Sequence, residues 1–224
     1  MKAMILAAGR GERMRPLTDT LPKALLSVGG QALIEHHLQA LVVAGIAEVV
    51  INVAWLGQQI MDYLGDGSRY GVSIRYSDEG AHALETGGGI AHALPLLGDD
   101  PFWVVNGDVH AVFSYTAPAL DEDTLAHLVL VPNPEHNSRG DFALRDGLVQ
   151  NSGEVMYTYS GIAFMRPELF ASHPGGAFPL APLLRVVADR GRLTGELLSG
   201  GWVDAVTPER LQAVASLYAK DSNS

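Results

Sequence analysis

Cysteine is absent from the 224 residues, which excludes disulfides, thiolate nucleophiles and cysteine-based zinc sites. Long apolar runs are missing too. The hydrophobic stretches are of strand length, so neither a transmembrane span nor a signal peptide is expected. Positive charge is scarce: 15 Lys and Arg face 25 Asp and Glu, for a net charge of −10 and a pI near 5.1. That balance argues against a nucleic-acid partner, which needs a basic face. Eight histidines are present, but none shows an HExxH or other ligand spacing. No repeat, linker or low-complexity segment divides the chain, so one domain over residues 1–224 is expected, and a monomer. Hydrophobic residues make up 47% and charged residues 18%, a globular composition that suits a soluble cytoplasmic protein with no membrane partner.

Four of the 15 positive residues, Arg10, Arg13, Arg15 and Lys23, fall in one loop near the start. The run Leu6 to Lys23, LAAGRGERMRPLTDTLPK, follows a short apolar strand, Ala3 to Ala7. Gly9 and Gly11 let backbone N–H groups approach an anion, because no Cβ intervenes. Successive N–H groups in such a turn form a concave nest for phosphate oxygens. Arg13 adds a planar fork of donors and Lys23 a mobile point charge. The loop lacks the GK[ST] ending of a Walker A motif, and Met14 stands where a Rossmann fingerprint has its third glycine. A nucleoside triphosphate brings about four negative charges to a chain that is already anionic, so a divalent cation is the expected partner.

Strand and helix patterns alternate through the first half. VVIN at 49–52, VSIRY at 72–76 and FWVVN at 102–106 read as buried strands. Leu33, Ile34, Leu38 and Leu41 mark one helical face, Leu56, Ile60 and Leu64 a second, and Gly89 to Leu97 a third. The second half is mixed. It offers a strand at 126–131, a hairpin from Phe142 to Gln150 turning at Asp146-Gly147, and a long strand from Val155 to Met165. Pro179 suits the first turn of a helix running to Arg190, and Thr207-Pro208 starts a last helix ending near Lys220. The fold expected is α/β, a Rossmann-like three-layer sandwich around a mostly parallel, mixed sheet. Ligands of such sheets bind at the carboxyl ends of the strands.

Other polar groups fall at those ends. Asn106-Gly107-Asp108 closes the strand FWVVN, and is either a metal-holding turn or an ordinary turn or cap. Asp204 lies in GGWVDAVTPERL, where it can serve a metal or cap the helix that follows. Two carboxylates from distant segments suit octahedral Mg²⁺, whose other ligands are waters and substrate phosphates. Residues 85–91, ETGGGIA, read as a second glycine-rich turn before a helix.

The whole run from Gly9 to Lys23 resembles the signature GxGxRxxPLTxxxPK of the sugar-1-phosphate nucleotidylyltransferases, met by Gly9, Gly11, Arg13, Pro16, Leu17, Thr18, Pro22 and Lys23. Two further motifs follow in order. Asp108 matches the family's strand-end metal aspartate, and Trp202, Asp204, Thr207 and Pro208 match W-x-D-x-G-T-P, with Val206 at the glycine. The resemblance implies transfer of a nucleotidyl group to a sugar 1-phosphate with release of pyrophosphate. It places Ala8, Gly9, Gly11 and Glu12 at the nucleotide, with Arg13 on the β and γ phosphates and Lys23 on the α-phosphate as the catalytic cations. It places Mg²⁺ between Asp108 and Asp204, and Gly88 against the base, with Glu85 at the turn's usual glycine position.

Glu79 can accept from the uracil N3–H or from guanine N1–H and N2–H, or be a plain loop acid. The family's sugar-phosphate lysine is missing from LVQNSGEVMYTYSGI. Asn106, Gly140, Asn151 and Glu154 are the candidates for sugar contacts. The motif variants resemble those of members that serve peptidoglycan recycling, which implies UTP and N-acetylmuramic acid 1-phosphate. A guanylyltransferase for mannose or heptose 1-phosphate is the alternative, and a non-catalytic nucleotide-sugar-binding domain is the reading from another class.

Overall fold

A computed structural model describes residues 1–80, 83–173, 175–212 and 214. In chain order its strands and helices are β1 (Lys2–Leu6), β2 (Ser27–Val28), β3 (Gln31–Ala32), α1 (Leu33–Val43), β4 (Glu48–Val53), α2 (Gly57–Leu64), β5 (Ser73–Asp78), α3 (Glu85–Leu97) and β6 (Phe102–Asn106). There follow β7 (Val109–Ala111), β8 (Ala126–Val131), β9 (Phe142–Arg145), β10 (Leu148–Gln150), β11 (Met156–Met165), α4 (Leu180–Asp189), β12 (Leu193–Leu197) and β13 (Trp202–Asp204).

The main sheet has nine strands in the order β5-β4-β1-β6-β11-β8-β12-β10-β9. β5, β4, β1 and β6 are parallel neighbours, as the apolar runs joined by helices require. β11 enters antiparallel between β6 and β8, and β10 is antiparallel to both its neighbours, so the sheet is mixed. Each central strand is apolar on both faces because both are covered. Ala3, Ile5, Trp103 and Val105 pack with Ile34, Leu38 and Ile60 of α1 and α2. Met4, Phe102 and Val104 pack with Ile90, Ala93, Leu180 and Leu184 of α3 and α4. That is the three-layer arrangement expected of near-continuous hydrophobic strands. Among the described residues no helix is long and apolar enough to cross a membrane.

Local departures from the sequence reading have physical causes. β1 stops at Leu6 because the Ala7 N–H turns to the Asn52 side chain, 2.7 Å away, instead of the ladder. The hairpin turns where expected, with Asp146 at φ 51° and Gly147 at φ 78°, the two positive values of a tight primed turn. Pro179 is the residue before α4 rather than within its first turn, with an extended ψ of 146°. Residues 87–89 are helical, not a turn. Their missing side chains make room: a Cβ on Gly87 would lie 2.4 Å from the Phe178 ring, and one on Gly88 2.2 Å from the Gly176 carbonyl oxygen. The turn proper is at Glu85, whose φ of 58° is the left-handed conformation that favours glycine. The last helix starts as read, the Arg210 N–H donating to Thr207 Oγ1 at 3.4 Å. Its expected end near Lys220 lies outside the described residues.

Candidate active site

Register places the site. Leu6 at the end of β1 pairs with Asn52 on β4 and Asn106 on β6, so two amides flank the exit of the first strand. The loop that leaves there bounds a cleft of about 480 Å³, whose walls include Gly9, Gly11, Arg13, Lys23, Glu79 and Asp108. The loop is made of short 3₁₀ turns, Glu12–Met14, Leu17–Asp19 and Lys23–Leu25. Gly11 has φ 65°, and a Cβ there would meet Thr18 at 2.9 Å and Lys23 Cβ at 3.2 Å. Thr18, itself buried, donates its hydroxyl to the Gly11 carbonyl at 2.8 Å and closes the turn.

Lys23 crosses 85 residues of sequence to reach Asp108, with Nζ donating to Oδ2 at 2.7 Å. The lysine side chain is only 13% exposed, which confines the ammonium to the cleft floor. Asp108 is carried there by a close turn. The Gly107 N–H donates to the Leu6 carbonyl at 2.9 Å, and a Cβ on Gly107 would lie 2.7 Å from that oxygen. Behind the turn stands His37, buried on α1 with its ring bonded to the Gly107 backbone. Burial pushes this imidazole down to about 4, against the opposite pull of Asp108 and the Gly107 bond, so it is neutral at pH 7. Its Nε2 has no hydrogen-bond partner among the described residues.

Glu79 lies on the cleft wall as a clamp. Oε1 accepts from Asn52 Nδ2 at 2.6 Å and Oε2 from the Leu84 N–H at 2.7 Å. Asn52 in turn accepts from the Ala7 N–H, so one buried amide ties the β1 exit to the start of α3. Gly89 makes the space, since a Cβ there would lie 2.5 Å from Glu79 Oε1. Asn52 was not singled out from the sequence. The available signal was a polar residue closing the otherwise apolar VVIN. Arg10, also unassigned above, lines the cleft with its guanidinium 4.8 Å from the centre of the Trp55 ring.

Ala8, Gly9, Gly11, Glu12, Arg13, Lys23, Glu79, Asn106 and Asp108 thus line one cleft. The structure does not bring the other candidates to it. Gly88 is buried against the 176–178 segment and donates its N–H to the Phe178 carbonyl at 3.1 Å. Asn151 Nδ2 donates to the Arg185 carbonyl and to Asp189 Oδ1 at the end of α4. Gly140, at φ 67°, packs against Asn133 and the Tyr157 backbone. Glu154 is exposed in the turn before β11. Asp204 lies on β13, opposite Val109 of β7, and the Ala205 N–H donates to the Asp108 carbonyl at 2.6 Å. Its carboxylate lines an adjoining cavity of about 700 Å³, where it accepts from Arg210 Nη1 at 2.9 and 3.1 Å and faces His136 Nε2 at 3.2 Å. Asp108, just before β7, and Asp204 on β13 are hard oxygen donors whose backbones meet through the Ala205 N–H, with their carboxylates in adjoining cavities. They suit Mg²⁺ chemically once phosphate oxygens and water complete the set. Each now holds a cation, and among the described residues no three His, Cys, Asp or Glu gather as a metal site.

Comparison with known proteins agrees with this geometry. The family model described as "Nucleotidyl transferase" matches residues 2–138. The N-acetylmuramate alpha-1-phosphate uridylyltransferase of Neisseria meningitidis serogroup B is 53% identical over 97% of this chain and 98% of its own. A mannose-1-phosphate guanyltransferase of Hypocrea jecorina is 32% identical, over 97% of this chain and 64% of its own. Among solved structures, UDP-glucose pyrophosphorylase complexed with UDP-glucose superposes with a TM-score of 0.78 at 18% identity, covering 98% of each chain, a likeness of fold. With the glycine loop, Lys23 and Asp108 meeting at the carboxyl ends of β1 and β6, the chain belongs to the nucleotidyl transferase family.

Proposed function

We propose that this chain transfers the uridylyl group of UTP to N-acetylmuramic acid 1-phosphate, giving the UDP-sugar and pyrophosphate. The observation that carries the substrate pair is the 53% identity to the meningococcal uridylyltransferase along nearly the whole of both chains. Both oxygens of Glu79, which could accept from either base, are already acceptors for Asn52 and Leu84, so this residue does not choose between uracil and guanine.

A sugar phosphate oxygen is anionic and needs no general base. The task is to bring two anions in line and to offset charge on the α-phosphoryl group and the departing pyrophosphate. Backbone N–H groups of the Gly9–Gly11 turn cradle the triphosphate. Arg13, which has no hydrogen-bond or ion-pair partner among the described residues, is free to clamp the β and γ phosphates. Lys23 sits on the cleft floor, where its ammonium passes from Asp108 to the α-phosphate. Asp108 and Asp204 would hold Mg²⁺, which when bound supplies the positive charge that a chain of net charge −10 lacks. Arg210, now on Asp204 and lining the adjoining cavity, is the cation taken to serve the sugar phosphate in place of the missing lysine. Asn106 lines the cleft beside that region and is the sugar-hydroxyl contact best placed for it. The same reading takes the chain as one catalytic domain acting as a cytoplasmic monomer.

The test is a matrix of UTP, GTP, dTTP and CTP against several sugar 1-phosphates with Mg²⁺, read by pyrophosphate release. UTP with N-acetylmuramic acid 1-phosphate is expected to be fastest. A GTP preference would transfer the chain to the guanylyltransferases, and silence in every pairing would leave only a binding domain.

A further inference from the structure

The charges around the cleft do not balance with Arg13 and Lys23, the two side-chain cations assigned to the triphosphate, even with a divalent ion. Glu12, Glu79, Glu85 and Asp108 bring four carboxylates to its walls. Lys23 is engaged with one of them at 2.7 Å. A triphosphate adds about four more negative charges. Arg10 is the remaining cation on the cleft wall. It is exposed, and it makes no hydrogen bond or ion pair among the described residues.

Its position is nevertheless set. The guanidinium carbon lies over the Trp55 ring, 4.8 Å from the centroid, a cation–π contact that ties the group to this wall of the cleft. A guanidinium held by an aromatic ring rather than by an acceptor keeps its N–H donors available for a phosphate. Trp55 is held in turn, its Nε1–H donating to the Thr18 carbonyl at 3.4 Å. Gln59 on α2 donates to the Thr20 carbonyl at 3.1 Å. Thr18 bonds Gly11, so ring, loop and guanidinium form one connected surround for the phosphate turn.

We propose that Arg10 is a third phosphate ligand, acting on the terminal phosphoryl groups of the nucleoside triphosphate, and that Trp55 is the positioning residue that presents it. This rests on the reading of the cleft as a triphosphate site, but not on which base or sugar is used. Arg13 and Arg10, three residues apart on either side of Gly11, grip the β and γ phosphates from two sides. Lys23 is left for the α-phosphate. The departing pyrophosphate stays bound through Arg10, so the residue serves both directions of the reaction.

The experiment compares triphosphate and monophosphate binding in wild type, Arg10→Ala, Arg10→Lys and Trp55→Leu, by titration calorimetry with Mg²⁺. UTP is paired with UMP, and GTP with GMP. Arg10→Ala is expected to weaken the triphosphate about tenfold, equivalent to about 1.4 kcal/mol, and to leave the monophosphate unchanged. Arg10→Lys recovers part of the loss, and Trp55→Leu shows a smaller loss with the same triphosphate selectivity. The KM for pyrophosphate in the reverse reaction rises with it, while the KM for the sugar phosphate stays. Equal weakening of both members of a pair, or no change in either, overturns the proposal. A wild type that binds GTP in place of UTP removes the uridylyl reading alone, because the GTP and GMP pair still tests Arg10.

Discussion

Replacing Asn52 by aspartate changes one group in the structure and has a calculable consequence. The variant keeps an Oδ1 acceptor for the Ala7 N–H. It replaces the Nδ2 donor by a carboxylate oxygen 2.6 Å from Glu79 Oε1, in a site where residue 52 is 3% exposed. Two carboxylates that close do not both ionise, so the engineered pair shares one proton. Holding a proton at pH 7 on a carboxyl pair whose ordinary titration lies near pH 4 costs about 1.4 kcal/mol per unit, or about 4 kcal/mol in all. The folded pair has the raised value. Its contribution is therefore complete below about pH 4 and is lost as pH rises through the folded value. At roughly 2–4 °C per kcal/mol for a domain of this size, the melting temperature at pH 7 should fall by about 8–15 °C relative to wild type. The gap should narrow toward pH 5. Thermal unfolding followed by circular dichroism at several pH values reads this directly. A gap independent of pH, or no gap, would refute the clamp as drawn.

Further outcomes follow from the same structure. Lys23→Ala should lower kcat about a hundredfold or more, as removal of a preorganised charge donor does, and stopped-flow or steady-state pyrophosphate release measures it. Gly88→Ala should lower the melting temperature by several degrees. Overpacking against the Gly176 carbonyl costs about 1–3 kcal/mol, and the helix gain of about 1 kcal/mol only partly offsets it. The KM for UTP should stay near wild type, and a raised KM with unchanged stability would return Gly88 to the base site. His37, titrating at about 4 when folded and 6.5 unfolded, binds fewer protons in the folded state, so stability falls as pH drops from 6.5 toward 4. The loss amounts to roughly 3 kcal/mol, and urea titrations should find it smaller in His37→Gln.

The parts legible in the sequence are those set by local pattern. Apolar runs located the parallel strands, the Asp-Gly pair located the hairpin, and the opening loop located one side of the cleft. Lys23 and Asp108 could be named from motifs, but their 2.7 Å contact depends on strand register across 85 residues. Asn52 escaped notice because its role exists only once β1, β4 and β5 stand side by side. The glycine run was read as a turn because glycine is rare inside helices. Its cause is tertiary, the Phe178 ring and the Gly176 carbonyl pressing on the helix from outside. The bonding of Asn151 could not be read from the sequence, because an amide in a turn carries no sign of its partner. Here the partner is the end of α4.

Uridylyl transfer to N-acetylmuramic acid 1-phosphate is the reaction proposed for the cleft between the glycine loop, Lys23 and Asp108. Incubating wild type and Lys23→Ala with UTP, Mg²⁺ and that sugar phosphate, and measuring UDP-sugar and pyrophosphate together, tests it most directly. Wild type is expected to give equimolar products, and the variant a rate about a hundredfold or more lower. Equal rates from the two proteins, or no UDP-sugar from wild type, would contradict it.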